Sequence, residues 1–354
     1  MTAPLDGPAA DVSALEDRVL GVLLGAAIGD AMGAATELRT REQIVEHFGG
    51  EVTSFVVPPD DTFARGCPPG QVTDDFSQAY HLARTIVARG GETSWDTGRD
   101  AILAWWADER YQRFAGPTTR ASVLRLAGEE VETPFFRYRG GQATNGAAMR
   151  IAPVGCVAEN VTDALHSAIA VSLPTHDNHL AAAAAAIVAI GVNVGLSHVP
   201  HGDETPFALV AMTCAAFAGP ASRAAETATH IVPGASLAAR IELAIEVARD
   251  SVDVQHAAAR IAAVVGCGLM ANEAVPAAVG ILSVAPDAMS AVTAAVNAGD
   301  DTDTVATIVG ALAGSVAGSR AFPRELAETV VRVNDMDLAG LARDLVAVRH
   351  LGAA

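Results

Sequence analysis

Gly21 to Glu37 reads GVLLGAAIGDAMGAATE, with glycine at 21, 25, 29 and 33. A spacing of four returns a helical chain to the same face, so these glycines predict a helix carrying a strip without side chains. Another helix can pack very closely against such a strip. Upstream, Ser13 and Glu16 read as a capping box, and Leu15, Val19, Val22 and Leu23 continue as an amphipathic helix. Asp30 and Glu37, seven apart, would share a face if the helix ran that far. They would then sit near its C-terminal end, where negative charge is disfavoured by ~0.3–1 kcal/mol.

Working outward, the composition fits an all-α chain. Apolar residues make up 51% and aromatics only 5%, so alanine-rich helices must fill the core by close approach. Strand formers are sparse. Asp and Glu outnumber Lys and Arg by 41 to 23, a net charge of −18, which repels a phosphate backbone and argues against nucleic acid as a partner. Cys67, Cys156, Cys214 and Cys267 form no close pair of the kind zinc or redox sites use, and read as buried thiols. The N-terminus has acids in place of a basic n-region and no apolar h-region, which points to the cytoplasm. The apolar stretches around Leu23 and from Leu180 to Leu196 are interrupted by Asp30 and Asn193, so no membrane span is expected.

Along the chain, residues 57–70 (VPPDDTFARGCPPG) read as a loop that can serve as a lid. Helices are expected from Asp74 to Val87, around Ile102 to Ala107, from near Asn145 after an irregular region to Gly141, and in the alanine-rich run after His179. His198 to Pro206 reads as a polar loop, and further breaks are expected near Gly219, Pro233, Pro276, Asp300 and Pro323. With no repeat and no linker, the expected organisation is a tail over residues 1–12 and one helical domain over 13–354.

Two acidic clusters stand at helix starts. Thr73-Asp74-Asp75 precedes the apolar-periodic run Phe76, Ala79, Tyr80, Leu82, Ala83, Ile86, and Asp300-Asp301-Thr302-Asp303-Thr304 precedes VATIVGALAGSVAG. Capping accounts for one Asp or Thr per helix. The surplus carboxylates would repel one another if buried together, a conflict that a cation removes. Oxygen ligands without Cys or His point to magnesium, manganese or calcium. In an extended turn Asp301 and Asp303 would face the same side. On spacing alone, metal binding and solvated capping both remain open.

Five segments in order resemble the ADP-ribosylglycohydrolase family: GAAIGDAMGAATE (Gly25 to Glu37), VTDD (Val72 to Asp75), TNGAAMRIAPVG (Thr144 to Gly155), THDN (Thr175 to Asn178), and the C-terminal pair EAVPAAVGIL (Glu273 to Leu282) and NAGDDTDTVATIVGALAGSVAG (Asn297 to Gly318). The resemblance runs from about Arg18 to about Pro323 and implies a compact orthogonal bundle of helices. It also implies two magnesium ions, with manganese as the alternative, held by Thr73, Asp74, Asp75, Asp301, Asp303 and Thr304. Glu37 matches the acidic residue that manages proton transfer as a glycosidic bond to ribose is cleaved. Two such ions orient the sugar, lower the pKa of a bound water and offset developing charge.

Asn145, Gly146 and Ala147, read as a helix start after Gly140-Gly141, are candidates to cradle a diphosphate with backbone N–H groups; the alternative is an ordinary glycine-rich loop. His176 is a candidate substrate contact, and Arg150 reads as structural. One departure stands out: most family members continue the metal motif as TDDT, and here it reads TDDFS. Phe76 therefore either shapes the substrate pocket or is a core residue of its helix. The implied substrate is an ADP-ribosylated protein or a small ADP-ribosyl or ribosyl compound. An N-ribosyl hydrolase acting on a nucleoside or nucleotide, and a non-catalytic metal-binding relative, are the competing readings.

Overall fold

The computed structural model describes residues 12–129, 142–197 and 206–351. The expected tail up to residue 11, residues 130–141 of the expected irregular region and most of the polar loop from His198 lie outside them; the earlier part of that region is not irregular throughout but forms a helix at Pro117–Leu126. The helices are α1 (Val12–Gly33), α2 (Arg41–Phe48), α3 (Asp74–Ala88), α4 (Trp95–Trp106), α5 (Pro117–Leu126), α6 (Ala152–Val157), α7 (Val161–Ser172) and α8 (His179–Ser197). They continue with α9 (Pro206–Ala224), α10 (Leu237–Arg249), α11 (Val254–Val264), α12 (Ala271–Ser283), α13 (Ala288–Val296), α14 (Thr302–Ala317), α15 (Arg324–Asn334) and α16 (Leu338–Leu351). Among the described residues no β-strand forms, only isolated bridges such as Arg39 with Asp300. The fold is all-α, as the composition requires.

The glycine strip of α1 packs on α14, and the pairing is close enough to exclude side chains from both. A Cβ at Gly25 would lie 2.1 Å from the Gly310 carbonyl oxygen, and a Cβ at Gly310 would lie 2.0 Å from that of Gly25. Gly21 likewise faces Gly314, Gly29 faces Ala306 and Gly33 faces Asp303. One series of numbers rises as the other falls, so the helices are antiparallel. The C-terminal end of α1, with Asp30 and Glu37, is thereby set beside the acidic start of α14.

Helix α1 is already formed at Val12, so Ser13 lies inside it and is not its N-cap. It stops at Gly33, and Glu37 sits in a turn whose N–H returns to the Gly33 carbonyl at 3.0 Å. That turn is fastened to the lead-in of α14. Leu38 N–H donates to Asp300 O and Asp300 N–H to Arg39 O, each at 2.8 Å. The Thr302 hydroxyl donates to Gly33 O at 3.0 Å.

Two of the expected breaks are absent. Helix α9 runs through Gly219 and Pro220, and α12 runs through Pro276. Proline disturbs the carbonyl four residues earlier, and at Pro276 that is Asn272, the residue with non-helical angles (φ −84°, ψ 15°). Its freed carbonyl accepts from Arg240 Nη1 at 2.9 Å. The interruption is displaced by one turn instead of ending the helix. Helices α8 and α9 are long and apolar enough to cross a membrane by length and composition alone. In α8 that length is 89% buried inside the protein, where small alanines allow its neighbours to surround it. All four cysteines are free and buried.

Candidate active site

Helix α3 begins as the sequence suggests. Thr73 is its N-cap, accepting the Asp75 N–H at 3.3 Å. Capping uses neither carboxylate of Asp74 or Asp75. A second acceptor comes from α1: Asp30 takes the Thr73 N–H at 3.0 Å, the Thr73 hydroxyl at 2.8 Å and the Phe76 N–H at 2.8 Å. Asp30 therefore does not pair with Glu37 on one helix face, because α1 has ended before Glu37.

At the start of α14, Asp301 occupies the N-cap without making a side-chain cap bond. Asp303 lies in the first helical turn, not in the extended turn that the two-residue spacing suggested. Carboxylate oxygens of Glu37, Asp301 and Asp303 nevertheless lie within 4.8 Å of one another. Asn145 Nδ2 donates to Asp301 Oδ2, and Asp303 Oδ1 accepts the Thr304 N–H at 2.9 Å.

These acids are buried together. Burial and the neighbouring charges of Asp301, Asp74 and Asp30 push Glu37 up to about 8. Burial is also the first cause raising Asp74 to about 8 and Asp301 to about 6, and it holds Asp75 and Asp303 well above the usual carboxylate range. Asp75 Oδ1 is buried with no hydrogen-bond partner among the described residues. A buried acceptor without a partner among mutually repelling carboxylates is the condition that a hard divalent cation relieves. The donor set, all oxygen, fits such an ion.

The cluster forms the floor of a cavity of about 440 Å³, within the range of small-molecule sites. Glu37, Thr73, Asp74, Asp75, Asp301, Asp303 and Thr304 all line it. Of its other walls, one comes from the loop read as a lid. Phe63 comes from the 57–70 loop, which Arg113 Nη2 ties down through the Phe63 and Arg65 carbonyls at 3.0 and 2.9 Å. Phe114 and the Gly116–Thr119 start of α5 add a second side. Proline at the first position of α5 was the available sign of a helix start there.

Several expected substrate contacts fall elsewhere. Phe76 is fully buried in the core, because the first turn of α3 points it away from the acids at positions 74 and 75. His176 is 1% exposed and stands behind Gly146, with its ring nitrogens 3.0 Å from Thr144 Oγ1 and 2.8 Å from Thr175 Oγ1. Burial lowers its pKa to about 3, which keeps the ring neutral. Residues Asn145–Ala147 form one 3-10 turn, not the start of an α-helix. The Asn145 N–H is committed to Leu269 O at 2.9 Å, and Ala147 is fully buried. Asn145 and Gly146 alone of the three line the cavity. Arg150 is buried and structural, donating to Gln78 Oε1 at 2.9 Å and to Thr175 Oγ1.

Sequence comparison matches the ADP-ribosylglycohydrolase family over residues 11–353. The chain belongs to that family. Among relatives of this ADP-ribosylglycohydrolase, "Uncharacterized protein YegU" of Escherichia coli (strain K12) is 29% identical over 94% of this chain and 98% of its own. The "ADP-ribosyl-[dinitrogen reductase] glycohydrolase" of Rhodospirillum rubrum is 34% identical over 39% of this chain and 44% of its own. A solved structure of an "ADP-ribosylglycohydrolase-related protein complex" shares the fold, with a TM-score of 0.65 at 24% identity, covering 97% of this chain and 100% of that one. Membership makes the chain a glycosidic hydrolase, and it gives the acid-lined cavity its role as the candidate active site.

Proposed function

We propose that this ADP-ribosylglycohydrolase removes an ADP-ribosyl group from a modified protein or small molecule, with two magnesium ions held by Thr73, Asp74, Asp75, Asp301, Asp303 and Thr304. The carrying observation is that the helix starts at Thr73 and Asp301 converge, with Glu37, on the floor of one cavity. Ions held by these residues would supply Lewis-acid chemistry, lowering the pKa of a water and offsetting charge that develops on the sugar. The protein's own residues do the rest. Glu37, held at the cavity wall by its turn, takes up a proton as water adds to the anomeric carbon and returns it to the departing group. The apolar walls and Arg113 enclose the remainder of the substrate and exclude water. Named relatives support the ADP-ribosyl reading: the Rhodospirillum rubrum protein above, and the "ADP-ribosylarginine hydrolase Tri1" of Pseudomonas putida (strain GB-1), 30% identical over 39% of this chain. We also propose that the protein acts in the cytoplasm as one catalytic domain from residue 13.

A specific observation keeps an N-ribosyl hydrolase as the second reading: the diphosphate cradle expected at Asn145–Ala147 has lost the Asn145 N–H to Leu269. A panel of ADP-ribosylated peptides, ADP-ribose derivatives and nucleosides, assayed with magnesium, separates the two. Turnover of the ADP-ribosyl compounds and inhibition by free ADP-ribose are expected. Turnover confined to nucleosides would transfer the assignment to the second reading. Glu37→Gln should lower turnover by about 10²–10⁴-fold while leaving calorimetric metal binding in place; near-normal turnover would remove Glu37 from its role. A non-catalytic relative is disfavoured because the ligand residues and Glu37 are all present.

A further inference from the structure

Asp30 is fully buried, carries no arginine or lysine partner among the described residues, and is not among those lining the cavity. Every polar contact it makes is with a donor. Oδ1 accepts the Thr73 N–H and hydroxyl, and Oδ2 accepts the Thr73 and Phe76 N–H groups. Oδ2 faces only N–H groups, and the one neighbour with a lone pair is the Thr73 hydroxyl on Oδ1, which donates to the ionised carboxylate. The carboxylate is matched to the positive end of α3.

The geometry also fixes the Thr73 hydroxyl. It has one proton and two lone pairs. Its proton goes to Asp30 Oδ1 at 2.8 Å, in preference to Asp75 Oδ2 at 3.5 Å. One lone pair takes the Asp75 N–H at 3.3 Å. The other is left over, on a residue that lines the cavity.

We infer that Asp30 is a positioning residue for the cation site: it locks the first turn of α3 and aims the remaining Thr73 lone pair at the metal. This rests on the metal reading above. Because Asp30 lies on α1 one turn before Gly33, which packs on Asp303, one helix sets both acid clusters. Asparagine at position 30 would turn an amide N–H toward donors already there and release the Thr73 hydroxyl.

The test is manganese binding to the full chain, followed by electron paramagnetic resonance without substrate. Outer-shell partners of metal ligands typically contribute 10–100-fold in affinity, so Asp30→Asn should raise the manganese dissociation constant by about that factor. Trp105→Phe is the control. It removes a buried bond to Ser77 Oγ (2.8 Å) on the same helix, and should lower Tm while binding manganese as the wild type does. If Asp30→Asn fails to fold, Asp30→Ser, which keeps one oxygen acceptor in a smaller side chain, is expected to show the same loss. A folded position-30 variant with wild-type affinity, or equal weakening in Trp105→Phe, would overturn the inference. Wild-type protein that binds no manganese would instead defeat the metal reading itself.

Discussion

The starts of α3 and α14 look alike in sequence and are built differently. At α3 a threonine caps the helix, a distant aspartate satisfies the remaining donors, and Asp74 and Asp75 are surplus. At α14 the N-cap aspartate makes no cap bond, and Asp301 and Asp303 are turned toward Glu37. The first cluster is a satisfied helix start with acids added to it. In the second, capping has been given up so that the carboxylates can meet. Capping duty and ligand duty compete for the same side chains, and a helix start can serve the second fully only when something else anchors it. At α14 that anchor is the contact with α1.

The contrast is sharpest at Asp303. Asp303→Asn should lower turnover by about 10²–10³-fold. It should also stabilise the metal-free protein by roughly 1–3 kcal/mol, since it removes a buried charge that has little compensation. A melting curve in EDTA checks the second half; a large destabilisation there would mean that the α14 cluster is as well satisfied as the α3 one.

Gly33→Ala attacks the anchor. Its Cβ would lie 2.4 Å from the Asp303 Cα, so the α14 start must shift while the Thr73 cap stays. Turnover should fall by about 10²-fold, and Tm should drop with an overpacking cost of about 1–3 kcal/mol. Unchanged kinetics would show that the α14 start tolerates displacement.

The pH dependence of stability tests the shared burial of both clusters. These carboxylates have raised pKa values in the folded state, so their contribution is fully present below the unfolded value. It is lost as pH rises through the folded ones, from about 6 for Asp301 to about 8 for Glu37 and Asp74. In EDTA, Tm should fall between pH 5 and pH 8 by roughly 2–4 °C, and magnesium should remove most of that fall. A flat profile in EDTA would mean that the acids are not buried together. The smallest effect is expected from Phe76→Leu. As a core substitution it should cost about 1 kcal/mol in Tm measurements, with KM unchanged; a shifted KM would return Phe76 to the pocket.

Much of this was legible. The glycine strip at 21, 25, 29 and 33 announced a close helix contact, and surplus acids at 74, 75, 301 and 303 announced something beyond capping. The partner of the strip was not legible, because a glycine face says how near a neighbour comes and not which one. Asp30 and Glu37 would share a face only if the helix ran to Glu37, and helix periodicity carries no signal that it ends at Gly33. His176 was placed at the substrate by resemblance, and Phe76 was left open between pocket and core; burial behind Gly146 and in the core is a property of packing. The wall from Phe63 comes from a loop without periodic pattern, and that from Gly116–Thr119 from the first turn of a short helix signalled only by Pro117.

The antiparallel seam also sets an order of events during synthesis. Gly33 meets Asp303, about 270 residues later in the chain. At roughly 5–20 residues per second, α1 leaves the ribosome on the order of 15–55 s before its partner exists. Throughout that interval a helix nearly apolar on all sides has its glycine strip bare. Contacts this distant in sequence slow folding, and the seam cannot close before the start of its second helix has been made. The acid cluster, split between the two ends of that seam, is completed only when the last third of the chain has been made.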